Sequence, residues 1–231
     1  MSTIEQNFRI VRENIAEVCT KHNRQPEEIE IVAVSKTKPA EIIDEAIRAG
    51  IQIIGENRVQ EAKQKTASVS GSAIWHMVGH LQTNKVRKAL KIFDLIQSVD
   101  SLHLAEVLDS ESIRIAKTTD ILIQVNTSGE ASKFGVEPTK TIELIEHIST
   151  RLNSLRILGL MTIGLFTSDV NKIRPCFIRL RKLSEDISIR QIPNVKMQYL
   201  SMGMTEDYKI AIEEGANMVR LGRVLFGERN S

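Results

Sequence analysis

Lys36 closes an apolar run in the segment IVAVSKTKP. If that run is a strand, strict alternation puts Val32, Val34 and Lys36 on one face. An ammonium at the mouth of an apolar interior loses hydration, which favours the neutral amine that imine chemistry needs. A lysine that only snorkels from a strand end into solvent leaves the same local pattern. A second set of residues stands near the end of the chain. In YLSMGMTEDYKIAIEEG, Gly203 permits a tight turn, Ser201 adds a hydroxyl and Thr205 is a candidate N-cap. Backbone amides of such a turn form a concavity suited to an anion. An ordinary capped helix, with Glu206 and Asp207 complementing its dipole, also accounts for these residues. The next segment, MVRLGRVLFG, brings Gly222 to the end of an apolar run, with Arg220 in phase with Met218 and Gly222. A cation that points into an apolar interior needs a partner. Either a ligand or a strand carboxylate such as Glu56 would supply one.

His76 and His80 are four apart, the spacing of a helical metal pair. Ile74–Val78 reads as strand, however, no HExxH is present, and no thiol stands nearby, so a zinc site is not expected. His22, His103 and His147 read as surface positions of helices. No GxSxG or phosphate-binding Walker pattern occurs.

The elements that must position these groups follow a rhythm. Short runs rich in Val and Ile alternate with longer amphipathic stretches. The runs Ile29–Ser35, Ile51–Gly55, Ile74–Val78, Leu95–Val99, Ile121–Asn126, Ile157–Thr162, Met197–Leu200 and Met218–Leu221 read as buried parallel strands, being nearly continuous and β-branched. Helices are expected over Pro39–Gly50, Asn57–Ala67, Leu81–Leu90, Ser101–Leu108, Pro138–Leu152, Val170–Ile187 and Thr205–Gly215. Alternating strands and helices imply right-handed βαβ units. Eight such units predict a single parallel (β/α)8 barrel of the TIM type, with the active groups at the C-terminal ends of its strands. A doubly wound open sheet is the alternative. Ile4, Phe8, Val11, Ile15 and Val18 mark an additional amphipathic helix within residues 1–23. Few residues follow the last strand, so this N-terminal helix is expected to fill the outer slot there. The whole of 1–231 reads as one barrel domain.

Composition excludes several classes. At 231 residues the chain can bury a full core without disulfides or a metal. Its 31 basic and 29 acidic residues give a net charge of +2 and no polyelectrolyte signature, so nucleic-acid binding is not expected. The stretch Lys85, Arg87, Lys88, Lys91 reads as a solvated helix face. Cys19 and Cys176 are isolated and read as reduced packing thiols, which fits a reducing compartment. The charged N-terminus is not a secretory signal, and no stretch approaches a membrane span of ~20 apolar residues. A cytoplasmic location without membrane partners is the expectation.

Five segments taken together, AVSKTKP, GENRVQE, WHMVGHLQTNK, GLMTIG and LSMGMTEDYKIAIEEGANMVRLGRVLFG, resemble the YggS-type pyridoxal phosphate homeostasis protein family. That family is related to the N-terminal barrel of alanine racemases. The similarity runs from about Ile31 to the C-terminus. It implies a fold-type III barrel for pyridoxal phosphate (PLP), with the cofactor carried as a covalent imine on Lys36. It implies that Ser201, Gly203, Met204 and Thr205, with Gly222 and Arg223, hold the phosphate. It implies that Arg220 faces the pyridine nitrogen, and that Asn57, His80 and Met161 lie close to the ring. Many members carry a hydroxyl residue where Arg223 stands. Its backbone amide can still donate, and the role of its side chain is open.

A lysine at a strand end, a late anion cradle and an inward arginine are three parts that a PLP site needs. The expected function is that of a PLP-binding protein of vitamin B6 and amino-acid homeostasis without robust catalysis. An arginine opposite the pyridine nitrogen cannot accept a proton and discourages one on the ring, which weakens the electron sink. Racemases of this class, by the same resemblance, use a tyrosine from a second β-domain. Here the chain stops after the barrel, and Tyr199 and Tyr208 are its only tyrosines. Amino acids as ligands, transient contact with PLP-dependent enzymes and a monomeric state complete the expectation. A small amino-acid racemase is the alternative.

Overall fold

The computed structural model of the chain describes residues 2–167 and 169–227. Eight parallel strands form a closed barrel in sequence order: β1 Glu30–Val34, β2 Ile53–Glu56, β3 Ile74–Met77, β4 Leu95–Val99, β5 Thr119–Gln124, β6 Leu155–Met161, β7 Val195–Ser201 and β8 Met218–Leu221. The register from Val32↔Arg220 to Ser201↔Met218 closes β8 between β1 and β7. The expected (β/α)8 barrel is therefore the fold. Helices α2 Ala40–Arg48, α3 Val59–Thr66, α4 Val86–Ala89, α5 Leu102–Arg114, α6 Thr141–Arg151, α7 Val170–Ile189, α8 Tyr208–Glu213 and α9 Arg223–Phe226 follow successive strands.

The strands bury both faces, and the core divides accordingly. An outer apolar layer lies between strands and helices, with Ile54, Ile96, Ile121, Phe177 and Leu180 among its fully buried members. A smaller inner layer fills the barrel: Val32, Ile53, Val78, Leu95, Leu122, Met161 and Met218. Burial on two faces is why the strands read as apolar runs and not as alternating ones.

Helix α1 spans Thr3–Lys21 and starts with a capping box: Ser2 Oγ accepts from the Glu5 amide, and the Glu5 carboxylate accepts from the Ser2 amide. It packs against α8, α9 and α2. Asn7 Nδ2 donates to the Leu225 carbonyl at 3.0 Å, and Arg24 Nη1 donates to the carbonyls of Ile212 and Ala216 at 2.7 and 2.8 Å. Helix α9, a single turn, lies under this contact.

Two helices differ from their sequence expectation. Helix α5 runs on to Arg114 because its polar residues are inward: Asp109 accepts from the Ser154 amide, and Ser112 shares a hydrogen bond with Thr119. The stretch Leu81–Leu90 holds only a 3-10 turn, Thr83–Lys85, and the short α4. Cys19 and Cys176 are buried free thiols.

Candidate functional site

A cavity of about 850 Å³ opens at the C-terminal end of the barrel. That volume lies within the ~300–1,000 Å³ usual for small-molecule sites. Lys36 lines it with Val34, two residues earlier on the same inward face. Asn57, Met204, Thr205, Arg220, Gly222 and Arg223 line it as well. Seven of the eleven residues singled out from the sequence thus share one cavity. The other four do not line it. Met161 and Ser201 are fully buried in the barrel interior, Gly203 is buried within the β7 exit loop, and His80 stands in a neighbouring cleft.

The turn that carries Lys36 is tightly specified. The Lys38 amide donates to the Ser35 carbonyl at 3.0 Å, closing a four-residue turn in which Lys36 is second and Thr37 third. Thr37 has φ +66°, a left-handed conformation that costs a non-glycine residue roughly 1 kcal/mol. Surrounding contacts over-determine it. The buried Lys65 Nζ donates to the Ser35 carbonyl at 2.8 Å and to Glu56 Oε1 at 2.5 Å. Ser35 Oγ donates to the same Glu56 oxygen at 2.5 Å. Glu61 Oε2 accepts from the Thr37 amide at 3.2 Å. Burial pushes the Glu56 carboxyl up, against the pull of Lys65 and Ser35. Glu56 therefore faces α3 and pairs with Lys65; it is not the partner of Arg220.

Arg220 projects into the barrel from β8 and is almost wholly buried. Its Nη1 donates to Ser201 Oγ and its Nη2 to the Thr162 carbonyl, both at 2.7 Å. Burial pulls the guanidinium down to about 10, opposed by the charge of Asp207, so it remains a cation at neutral pH. Its fork fixes the polarity of a hydrogen-bond chain. Ser201 accepts from Arg220 and so must donate to Gln97 Oε1, 2.7 Å away. Gln97 Nε2 then points at His76 Nδ1, 2.9 Å away, which leaves the histidine proton on Nε2. Burial lowers His76 to about 4, consistent with this neutral acceptor. Thr162 Oγ1 donates to the Val125 carbonyl, which ties β5 to the same layer.

The β7 exit loop forms the opposite wall. The Arg220 amide donates to the Gly203 carbonyl at 3.0 Å. Gly203 has φ +92°, and a Cβ there would stand 2.6 Å from the Ala211 Cβ, so only glycine fits. The Met204 amide donates to Asp207 Oδ1 at 2.5 Å, and the amides of Asp207 and Tyr208 donate back to the Met204 carbonyl. The Arg223 side chain turns to Glu206, with Nη2 2.8 Å from Oε1. On the other rim Asn57 lies under Gly79, where a Cβ would stand 2.4 Å from the Asn57 carbonyl oxygen. His80 Nδ1 is 3.5 Å from Asp100 Oδ2, and its ring stacks on Phe134 at 3.9 Å. Tyr199 is engaged by Glu30, at the N-terminal end of β1 and far from the mouth, and burial raises its phenol. Tyr208 is buried on α8 outside the cavity lining.

The donor set fits PLP. The Lys36 amine on the inward face, with Lys38 also along the lining, one buried cation and a glycine-bearing backbone loop converge on a single cavity, matching an aldehyde, a pyridine nitrogen and a phosphate. Among the described residues no group of three or more His, Cys, Asp or Glu is arranged to hold a metal. Among them, too, no helix is long and apolar enough to cross a membrane.

Comparison with known proteins gives the same answer for the family. The family model "Alanine racemase, N-terminal domain" matches residues 7–230. A pyridoxal phosphate homeostasis protein from Aquifex aeolicus is 38% identical over 230 residues, covering 99% of each chain. The structure of PipY from Synechococcus elongatus PCC7942 with PLP bound superposes with a TM-score of 0.81 at 36% identity, covering 92% of this chain and 100% of that one. Alanine racemase from Clostridium difficile shares the fold, with a TM-score of 0.76 at 15% identity, covering 98% of this chain and 58% of that one. With a barrel of this topology and relatives matched from end to end, the chain belongs to the alanine racemase N-terminal domain family, in its YggS-type pyridoxal phosphate homeostasis group.

Proposed function

We propose that this protein binds PLP reversibly as an imine on Lys36 and serves vitamin B6 homeostasis as a carrier, without robust catalysis. The observation that carries this reading is the meeting of Lys36, Arg220 and the Thr205 and Gly222 loops around one cavity. The name of the Aquifex relative and the PLP-bound PipY structure support it. PLP supplies an aldehyde, a ring and a phosphate. Lys36 would hold the cofactor through its amine, which would condense with the aldehyde to a C=N bond and release the carbonyl oxygen and the two amine protons as water. Backbone amides of Thr205 and the Gly222–Arg223 segment would grip the phosphate, since the Met204 amide is taken by Asp207 and the Ser201 hydroxyl by Arg220 and Gln97. Asn57 lines the cavity and would border the ring, whereas Met161 lies in the barrel interior and His80 in the neighbouring cleft.

Arg220 decides between carrier and catalyst. Held by Ser201 and the Thr162 carbonyl, it presents a cation that cannot take up a proton. A pyridine nitrogen facing it would stay unprotonated, and the ring would then be a weaker sink for carbanion charge. Neither tyrosine lines the cavity to act as a second acid. The bound cofactor would leave by hydrolysis or by transfer to a competing amine, including amino acids and recipient PLP enzymes met transiently. One observation favours the alternative, a small amino-acid racemase: His80, with Asp100 3.5 Å from its Nδ1, stands in the cleft next to the cavity as a candidate base. Two measurements on purified protein test the proposal. Titration with PLP should give an imine absorption band that is absent in Lys36→Ala. Incubation with amino acids in heavy water should give no α-proton exchange at an enzyme-like rate. Exchange that is rapid in the wild type and lost in Lys36→Ala would replace the carrier by the racemase.

A further inference from the structure

The ion pair under Lys36 is not explained by the cofactor site itself, since neither Lys65 nor Glu61 lines the cavity. Both reside on α3, whose KQK stretch looks like surface charge, yet Lys65 is buried. Their hydrogen bonds do not run to side chains of the site. They run to the backbone atoms on either side of Lys36: Lys65 to the Ser35 carbonyl and Glu61 to the Thr37 amide. The Ser35 carbonyl is held twice, by the Lys38 amide and by Lys65, and its amide donates to the Gly55 carbonyl. Its hydroxyl is held by Glu56 at the end of β2. Lys65 Nζ also lies 3.5 Å from Glu61 Oε2, so the two anchors brace each other.

We infer that α3 is a clamp that aims Lys36, with Lys65 and Glu61 as positioning residues for imine formation. This rests on the proposed role of Lys36. A turn with a left-handed threonine at its third position is strained by its own sequence and opens unless held. An opened turn lets the Lys36 side chain swing out of the barrel mouth, and a misplacement of about 1 Å can cost a reaction on the order of 100-fold. The anchors act on both peptide units that flank Lys36, which a pair serving only to fill a gap under β1 would not require.

The test uses the full-length protein and four variants: Glu61→Ala, Glu61→Gln, Lys65→Arg and Glu61→Ala combined with Thr37→Gly. The readouts are the rate of imine formation with excess PLP, followed by absorbance, the fraction of protein labelled on Lys36 after borohydride, and the melting temperature. Glu61→Ala should remain folded and form the imine on the order of tenfold more slowly. Glu61→Gln keeps an acceptor oxygen and should stay close to wild type. Thr37→Gly should restore much of the rate in the Glu61→Ala background, because glycine takes φ +66° without strain. Lys65→Arg keeps the charge but not the geometry and should slow the reaction. Wild-type rates in folded Glu61→Ala and Lys65→Arg would overturn the clamp while leaving the cofactor site intact. A wild-type protein with no imine band would overturn the cofactor reading and the clamp together.

Discussion

Replacing Lys65 by Met has a cost that follows from the structure. Glu56 is fully buried, and its Oε1 receives the Lys65 ammonium and the Ser35 hydroxyl, each at 2.5 Å. Among the described residues its Oε2 is buried without a hydrogen-bond partner. Lys65→Met leaves this carboxylate with one neutral donor. Removing one partner of a buried pair costs about 3–5 kcal/mol, because the remaining charge stays desolvated. At roughly 2–4 °C per kcal/mol for a chain of this size, the melting temperature should fall by on the order of 10 °C at neutral pH. The cost should depend on pH in one direction. Burial already raises Glu56 above its ordinary 4.5, and losing Lys65 raises it further. A carboxyl raised on folding contributes stability at low pH and loses it as pH climbs through its folded value. The gap between wild type and variant should therefore be small near pH 4 and widen towards neutrality. Removing the second charge as well, in Lys65→Met with Glu56→Leu, should recover most of the loss, since an apolar pair of similar volume avoids the desolvation. Urea titrations of the three proteins at several pH values make the measurement. A single-variant loss below about 1 kcal/mol, or a double variant no better than the single, would refute the reasoning.

Three further outcomes are expected. His76 stays neutral down to about 4 in the folded chain against an ordinary 6.5, so the unfolded chain takes up its proton first and stability falls as pH drops from about 6.5 to 4. This amounts to about 3 kcal/mol, and His76→Gln should flatten that acid limb in unfolding midpoints compared at pH 7 and pH 4.5. Gly203→Ala meets both a positive φ and the Ala211 methyl, and should cost about 2–4 kcal/mol while weakening retention of PLP, read by calorimetric melting and equilibrium dialysis. Deleting residues 1–23 uncovers α8 and α9 and removes the Asn7 bond to Leu225, so the truncated chain should melt well below the full one; an unchanged melting temperature would show that α1 is dispensable.

Local sequence carried the barrel and hid its polar interior. The strands were legible because burial on both faces makes them continuous Val/Ile runs, as in IVAV and ILIQV. Their lower ends were not: β7 begins at Val195, and its alternating VKMQ disguises it. Helix α5 looked short because Asp109 and Ser112 face inward, where tertiary partners satisfy them. Lys36, Arg220 and Gly222 were legible by phase, each being an odd residue on an inward face. Gln97 carried the same signal, a polar side chain in LIQSV in phase with Leu95, and it links Ser201 to His76. Lys65 gave none. Its partners Ser35, just past β1, and Glu56, at the end of β2, lie outside α3, and nothing local marks a lysine in KQK as buried.

The most direct test of the account is chemical trapping. Purified protein is saturated with PLP, reduced with borohydride, digested and mapped by mass spectrometry. A pyridoxyl adduct should appear on Lys36, and in Lys36→Ala no other lysine should take it up with comparable yield. An adduct on a different side chain, or no adduct on the borohydride-treated wild type, would contradict the account.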